Sequence, residues 1–457
     1  MSQNVKLFLG CLLVLISRLP FLNAGFGVEE DSWGIAVAAL NTRETGVFEA
    51  SRLPGHPFNE MFYVAMWGLS SWWFNFSSAL MSVLLFFFSA KVLLHFNLKN
   101  AILSALAVVF VPVVFINSTC TVDYLWSVAL MVGSFYFLLS KNWPISVLFF
   151  SMSVGCRLTN GVFIVPFLWF FREEIMLLSV QRRLALLFSC GLLCLLWYLP
   201  VINVYGPGFF TYSDQFPYPS WFKIGYKATL GVWGTLGCMA LLMAGWFLFS
   251  SGWRKRLQNP YAQMTLILCA LFALQYFMLP QKSAYWIQII PFVIFFLAMS
   301  LNPRQVQMVM AILIFSPFLL GINLTDPYRG SESSSLASKF SVNGQEIFID
   351  PFIGLMQSDY SKRIRKLEYG KKVLGYLSTM NKPTVVICGW WYNQLLITKF
   401  DNPIPDYVEL KFYCDESSMA KWKENGAQIF YLHEQDLYND LYAKISSTRH
   451  FAERIKI

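Results

Sequence analysis

The residues best able to do chemistry in this chain begin with three consecutive acids, Glu29-Glu30-Asp31, directly after the first apolar segment. A carboxylate at the edge of a membrane segment can act as a general base toward a hydroxyl group. Acids also stabilise the N-terminus of a helix, and the apolar residues that follow recur at helical spacing. The run therefore predicts a short interfacial helix that begins with carboxylates.

Two loops add basic and aromatic residues. The segment SRLPGHP, residues 51–57, is a turn rich in Pro and Gly that displays Arg52 and His56. The segment LPQKSAY, residues 279–285, places Lys282 and Tyr285 just before another apolar run. Cations of this kind can hold a phosphate group. Each loop taken alone is equally compatible with an ordinary surface turn.

Two more charged residues lie at the ends of apolar segments. Asp123, in NSTCTVDY, begins one segment, and Arg157, in GCRLT, lies at the junction of two. Charged side chains at membrane depth are costly and are usually functional, an argument that weakens near the interface. Arg157 could pair with a carboxylate or hold a phosphate. We predict that these residues meet the others at one face of the membrane.

The elements that must position these residues are membrane spans. Of 457 residues, 56% are hydrophobic and 13% are charged, whereas soluble domains have about 25% charged residues. The net charge of +9 lies largely in short loops and forms no basic groove interleaved with exposed aromatic side chains. We therefore expect a membrane-embedded protein and no nucleic-acid partner.

The apolar runs predict about eleven spans. Phe58–Trp73 is short for a span and is predicted to be an interfacial helix, with a true span as the alternative. Basic residues, among them Arg254-Lys255-Arg256, mark one set of loops, and acids, among them Asp214, mark the other. By the positive-inside rule the N-terminus is cytoplasmic and the C-terminus is outside. The predicted spans are Leu7–Asn23, Ser77–Phe96, Ala101–Asn117, Asp123–Ser140, Pro144–Gly155, Asn160–Phe171, Leu184–Val204, Tyr226–Phe249, Met264–Leu279, Tyr285–Leu301 and Val306–Ile322.

Residues 323–457 have a different composition, so we predict a soluble domain after a transmembrane domain of residues 1–322. Lys382–Gly389 and Gln428–Leu432 are typical of buried strands, and Ser418–Asn425 is typical of a helix. This alternation predicts an α/β domain on the outer face. Cys388 and Cys414 could form a disulfide there if the compartment is oxidising.

The order of these motifs resembles the GT-C superfamily of integral membrane glycosyltransferases, in particular the group of bacterial aminoarabinose transferases and protein O-mannosyltransferases. Members of this superfamily use polyprenyl-phosphate-linked sugars as donors. The chain departs from the family pattern in having three acids instead of an Asp-Glu pair, and Ala284-Tyr285 instead of Arg-Tyr. The matching features are the acidic run with Trp33, the turn Leu53-Pro54-Gly55-His56-Pro57, Asp123, Arg157-Leu158-Thr159, and Lys282 with Tyr285 and Pro291.

The resemblance implies catalytic roles for the acidic run. Asp31 or Glu30 is the expected base, and Glu29 stays a candidate because the register of three acids is ambiguous. Asp123 would orient the acceptor or, with Asp31, help bind a divalent metal such as Mg²⁺ or Mn²⁺. Whether a metal is needed stays open at this point.

The resemblance also implies a set of substrate-binding residues. Arg157 and Lys282 would hold the donor phosphate, and Lys282 is the nearest substitute for the missing Arg of the late loop. The remaining members of the set are Arg52, His56 and Tyr285.

We therefore expect a multi-pass inner-membrane enzyme. It would move a sugar from a polyprenyl-phosphate donor to a lipid, glycan or protein acceptor at the outer (periplasmic or luminal) face, with inversion at the sugar. A transporter or flippase for a lipid-linked sugar is the alternative, and it predicts internal repeats and charges at mid-membrane, neither of which the sequence has. A non-catalytic scaffold is a third reading. The sequence does not specify the sugar or the acceptor.

Overall fold

The computed structural model describes residues 2–210, 218–250, 252, 257–323, 334–342, 345–412, 416–432 and 453–455. Asp214, residues 254–256 and Cys414 lie outside this part, so the predictions made for them stay predictions. Helices dominate the described residues. They are α1 (Gln3–Arg18), α2 (Glu30–Thr45), α3 (Pro57–Met66), α4 (Ser71–His95), α5 (Ala101–Phe110), α6 (Pro112–Asn117), α7 (Tyr124–Leu139), α8 (Trp143–Cys156), α9 (Ile164–Phe170), α10 (Arg172–Leu177), α11 (Val180–Tyr205), α12 (Trp221–Ala228), α13 (Leu230–Ser250), α14 (Pro260–Met278), α15 (Ile290–Ser300), α16 (Pro303–Phe315), α17 (Leu355–Leu377), α18 (Tyr392–Thr398) and α19 (Glu416–Glu424).

Six apolar helical segments are long enough to cross a bilayer, and five shorter ones accompany them in the described part of the chain. The protein is therefore a multi-pass membrane protein, as predicted, whereas eleven crossings remain a prediction. The long segments are Gln3–Phe21, Ser71–His95, Val180–Tyr205, Leu230–Ser250, Pro260–Met278 and Ser283–Ser300. The shorter ones are Ala101–Phe110, Tyr124–Leu139, Trp143–Cys156, Leu158–Phe170 and Pro303–Phe315.

Three predicted spans differ from the observed helices. Ala101–Asn117 is divided into α5 and α6, because Pro112 lacks the N–H group that would continue the first helix. Tyr226–Phe249 begins with the separate short helix α12. Val306–Ile322 ends as a helix at Phe315, and its last two residues belong to a strand.

Arg18 stabilises the break between α5 and α6. Its guanidinium group is fully buried and donates hydrogen bonds to the Val109 carbonyl and to Ser118 Oγ. It also lies 4.1 Å from the centre of the Phe115 ring and 4.7 Å from that of Phe110. A cation in this position satisfies a carbonyl that the interrupted helix leaves without its usual partner.

A network of buried polar side chains connects the helices that carry the charged motifs. Gln288 donates to Ser127 Oγ of α7 at 2.7 Å and accepts from Asn160 at 3.1 Å. Asn160 also donates to Ser153 Oγ of α8 at 2.8 Å. Hydrogen bonds between transmembrane helices contribute about 0.6 to 2 kcal/mol each. The network fixes the relative positions of the ends of α7, α8 and the turn before α15.

The C-terminal part contains two small sheets. Strand β1 (Gly321–Asn323) pairs antiparallel with β3 (Gln345–Asp350), which also pairs with β2 (Ser338–Val342). The second sheet is parallel and consists of β4 (Thr384–Ile387), β5 (Val408–Lys411), β6 (Gln428–Tyr431) and β7 (Glu453–Arg454). The order of its strands in space is β5-β4-β6-β7. The predicted strands Lys382–Gly389 and Gln428–Leu432 coincide with β4 and β6, and the predicted boundary after residue 322 falls inside β1.

Gly354 marks the place where the chain turns from β3 into α17 against the end of the membrane part. A Cβ atom there would lie 2.3 Å from the Pro317 carbonyl oxygen and 2.5 Å from the Phe318 carbonyl carbon. Both are backbone atoms, which cannot rotate away as a side chain can. The close approach therefore requires glycine.

We expect Gly354→Ala to lower the free energy of unfolding by about 1 to 3 kcal/mol, because the added methyl group overpacks two backbone segments. Thermal unfolding of the purified protein in detergent measures this change. Gly375→Ala, on the open side of α17 with no atom near its Cβ position, is the matched control. The control should be neutral or slightly stabilising, and an equal loss in both variants would contradict the prediction.

Candidate functional site

Six charged side chains from five separate segments of the sequence form one continuous chain of alternating charge. It runs along the ends of α2, α7 and α8, the loop before α3, and the loop after α14. Three carboxylates face three cations, so the group is neutral as a whole. In order its members are Glu29, Lys282, Asp31, Arg52, Asp123 and Arg157.

Asp123 lies at the buried end of this chain and has no exposed surface. Its two carboxylate oxygens accept from Arg52 Nη2 at 2.5 Å and Arg157 Nη1 at 2.6 Å. Burial alone would raise the pKa of this carboxyl. The charges of His56, which is protonated in the acidic range where the carboxyl would titrate, and of the two arginines outweigh burial and hold the pKa well below its usual range. Asp123 is therefore ionised and has little freedom to move.

Asp31 lies at the half-exposed end, with 23% of its side chain accessible. Its Oδ2 atom contacts Lys282 Nζ and lies 3.1 Å from Arg52 Nη1. Burial raises the pKa of Asp31, but Arg52 and Lys282 have the larger combined effect and lower it to about 2. Lys282 also lies 2.6 Å from Glu29 Oε2, which is the most exposed acid of the group.

The turn that carries Arg52 and His56 is held by an acid that the sequence analysis did not single out. Glu60, on α3, is buried and accepts hydrogen bonds from Ser51 N at 2.8 Å, Ser51 Oγ at 2.6 Å and His56 N at 2.8 Å. The sequence could have identified Glu60, because it is a carboxylate inside the predicted interfacial helix and a buried acid needs a specific partner.

His56 lies beside Asp123 as a neutral ring. Burial lowers the pKa of its imidazole to about 4, an effect that Asp123 opposes and that Arg52 adds to. Nδ1 lies 2.6 Å from the carbonyl oxygen of Cys156 and 3.5 Å from Asp123 Oδ2. Because a carbonyl can only accept, Nδ1 carries the proton.

Arg157 is held by aromatic rings as well as by Asp123. Its guanidinium carbon lies 4.2 Å from the centre of the Tyr124 ring and 5.6 Å from that of Tyr285. The two rings are themselves 6.0 Å apart. The structure therefore places Tyr285 next to the buried end of the chain of charges, where it contacts Arg157.

Glu30 is the one predicted acid that the structure does not bring into the chain of charges. Its Oε1 atom accepts from the backbone N–H of Asn393 at 2.8 Å, at the start of α18 in the C-terminal part. Successive residues of a helix point in directions about 100° apart, so Glu30 and Asp31 cannot face the same group.

Lys227 is a further cation that the sequence analysis missed. It lies on α12, whose Trp221 and Phe222 are 73% and 57% exposed, and its Nζ atom donates to the carbonyl of Gln281 beside Lys282. Burial, together with the charges of Lys223 and Lys282, lowers the pKa of Lys227 to about 8, an effect that Glu29 opposes. The sequence does contain a signal for this site. Lys223 and Lys227 are four residues apart on a short amphipathic segment, a spacing that places both on one face of a helix.

The donor set of the site does not fit a divalent metal in this arrangement. Arg52 lies between Asp31 and Asp123, and cations engage both carboxylate oxygens of Asp123 and the Oδ2 atom of Asp31. Within the described residues no three His, Cys, Asp or Glu side chains come together as a metal site.

The fold has a match among solved structures. The crystal structure of ArnT from Cupriavidus metallidurans in the apo state superposes on this chain with a TM-score of 0.55, over 93% of this chain and 92% of that one. The chain has a GT-C-like fold. Sequence identity to ArnT is 13%, so the match concerns the fold alone. No family model and no curated protein sequence matches the chain.

We expect Asp123→Asn to lower the free energy of unfolding by about 3 to 5 kcal/mol, because the buried Arg157 and the partly buried Arg52 lose the charge that neutralises them. Thermal unfolding in detergent is the measurement. Glu29→Gln removes an acid that is 51% exposed and should cost less than about 1 kcal/mol. Equal stability of the two variants would show that Asp123 is not what neutralises the arginines.

Proposed function

We propose that this protein is a membrane glycosyltransferase that moves a sugar from a polyprenyl-phosphate donor to a hydroxyl group of an acceptor at the outer face. The observation that carries the proposal is the half-exposed Asp31, held between Arg52 and Lys282 at the ends of apolar helices. A carboxylate and two cations at a membrane edge are what transfer from a lipid phosphate needs.

Donor binding follows from the cations. Lys282 and Arg52 are accessible on about a fifth of their side-chain surface, so a phosphate can reach them. Lys227 adds a third cation close by, and the exposed rings of Trp221 and Phe222 suit the surrounding lipid. The prenyl chain would remain in the bilayer while its phosphate replaces carboxylates as the partner of these cations.

The transfer itself exchanges one carbon–oxygen bond for another. The acceptor hydroxyl oxygen forms a bond to the anomeric carbon while the bond from that carbon to the phosphate oxygen breaks. The bonding electrons leave with the polyprenyl phosphate, whose negative charge Lys282 and Arg52 stabilise. The hydroxyl proton passes to Asp31. Attack from the face opposite the phosphate inverts the configuration of the sugar.

We assign Asp31 as the general base. Binding of the donor makes its carboxylate a stronger base by raising its pKa. A carboxyl with a pKa of about 2 is a weak base at neutral pH. Once a phosphate engages Lys282 and Arg52, their pull on Asp31 weakens and its pKa rises toward the ordinary value of about 3.9. Asp123 stays buried between two arginines, so we assign it to orienting Arg52 and the acceptor side of the site.

The first test is sugar transfer from polyprenyl-phosphate donors by purified protein in liposomes. We expect Asp31→Asn to lower kcat by about 100- to 10,000-fold, the usual contribution of a general base. Glu30→Gln should have a smaller effect, because Glu30 contacts a backbone N–H group of the C-terminal part.

Glu44→Gln is the matched control, since Glu44 is an exposed acid near the end of the same helix. No transfer by the wild type with any donor would overturn the proposal and favour the transporter alternative. Full activity of Asp31→Asn would overturn the assignment of Asp31 as the base. The same assay with and without EDTA decides whether a divalent metal takes part.

A second test uses the pH dependence of donor capture. Lys227 binds a phosphate only while protonated, and its pKa is about 8. The value of kcat/KM for the donor should therefore fall as the pH rises through 8, and by about tenfold at pH 9, where only about a tenth of the lysine keeps its proton.

An arginine at position 227 stays charged at every pH used. In Lys227→Arg the fall in kcat/KM near pH 8 should therefore be absent and appear only at higher pH. Lys227→Met should have a low kcat/KM that no longer changes near pH 8. An unchanged profile in Lys227→Arg would exclude Lys227 as the titrating group and leave the assignment of Asp31 untouched.

A further inference from the structure

Helix α17 of the C-terminal part contacts both segments that carry the central acids of the site. Arg363 and Lys366 lie one turn apart on this helix, so their side chains share a face. Arg363 contacts the segment that ends at Asp123, and Lys366 contacts the segment just before α2.

Arg363 holds the segment before Asp123. It is 1% exposed, and its Nη1 atom donates to the carbonyl of Thr119 at 2.8 Å while Nη2 donates to Thr119 Oγ1 at 3.0 Å. Asp359, one turn earlier, accepts from Arg363 Nε at 2.6 Å and neutralises it. Thr119 lies four positions before Asp123.

Lys366 holds the segment before Asp31. Its Nζ atom donates to the carbonyl of Val28 at 2.9 Å and lies 4.9 Å from the centre of the Trp391 ring. Val28 directly precedes Glu29, which occupies the N-cap position of α2. Fixing this carbonyl fixes the rotation of the first helical turn, and therefore the direction in which the Asp31 side chain leaves the backbone.

Two more contacts make this arrangement stiff. The backbone N–H of Thr121 donates to the carbonyl of Phe26 at 2.8 Å, which joins the two held segments to each other. On the other side of α2, Asn393 N donates to Glu30, and a Cβ atom on Gly34 would lie 3.2 Å from Asn393 Nδ2. The start of α2 is therefore enclosed by α17, α18 and the segment before Asp123.

We propose that Lys366 is a positioning residue: with Arg363 it holds the segments of Asp31 and Asp123 at the separation that sugar transfer requires. The C-terminal part thereby acts on the membrane site through α17. This inference rests on the proposed glycosyltransferase function. A displacement of about 1 Å in a reacting group can lower the rate about 100-fold, so a contact that touches no substrate can control kcat.

The test compares three variants of the full-length protein in the transfer assay. Lys366→Met keeps the length and the apolar stem of the side chain but cannot donate to Val28, and we expect kcat to fall about 10- to 100-fold with little change in either KM. Lys366→Arg retains a donor and should restore most of kcat. Lys362→Met, an exposed lysine one turn earlier, should match the wild type.

Hydrogen exchange gives a readout that does not depend on activity. Lys366→Met should speed exchange in peptides that cover residues 26–34, whereas Lys366→Arg and Lys362→Met should not. If Lys366→Met does not fold, Lys366→Gln replaces it, because glutamine removes the charge but stays polar.

Unchanged kcat and unchanged exchange in Lys366→Met would overturn the positioning role while leaving the glycosyltransferase proposal standing. A loss of kcat that Lys366→Arg does not rescue would also overturn it, since a general packing defect would then explain the loss. An inactive wild type would sink the proposed function instead. In that case faster exchange in Lys366→Met supports the hold on α2, and unchanged exchange refutes it.

Discussion

A carboxylate that has no contact with solvent must be neutralised by its neighbours, and Asp123 imposes this requirement on the helix ends and turns around it. Two arginines satisfy it from different directions, one from the turn before α3 and one from the end of α8. Each arginine in turn needs support, which Glu60 gives to the turn of Arg52 and the rings of Tyr124 and Tyr285 give to Arg157. The site is thus built outward from one buried charge.

Exposure increases along the chain of charges, from the buried Asp123 to the half-exposed Asp31 and Glu29. In the proposed function the site must hold the helix ends rigidly and must also bind a phosphate. The gradient of exposure assigns these two requirements to opposite ends of the chain of charges. The buried end is rigid because breaking an ion pair there leaves an uncompensated charge, whereas the exposed end can exchange a carboxylate for a phosphate at little cost. A site that is neutral at rest can therefore accept an anion only where water already reaches it.

The C-terminal part is tied to this site by polar contacts with backbone groups. Lys366 and Arg363 bind carbonyls of the membrane part, and Glu30 binds an N–H group of α18. Glu30 was a candidate base because it is one of three consecutive acids, yet it joins the two parts of the molecule. The same short run of sequence thus supplies a cap, a link between the two parts and a candidate base.

The sequence by itself determined that the chain crosses a membrane and that its charges collect at the ends of apolar segments, because hydropathy and segment length act locally. It also predicted the GT-C-like fold and the strands β4 and β6 from motif order and residue pattern. The helix ends at Pro112 and after Phe315 were not predicted, because both positions lie inside apolar runs that were each taken as one continuous span. Only the tertiary structure decided which charges pair, since Lys282 and Asp31 are 251 residues apart. The three acids Glu29, Glu30 and Asp31 are alike in sequence, but Glu29 and Asp31 face Lys282 whereas Glu30 faces α18. The rotation of the helix sets these directions, and no local pattern specifies what lies there.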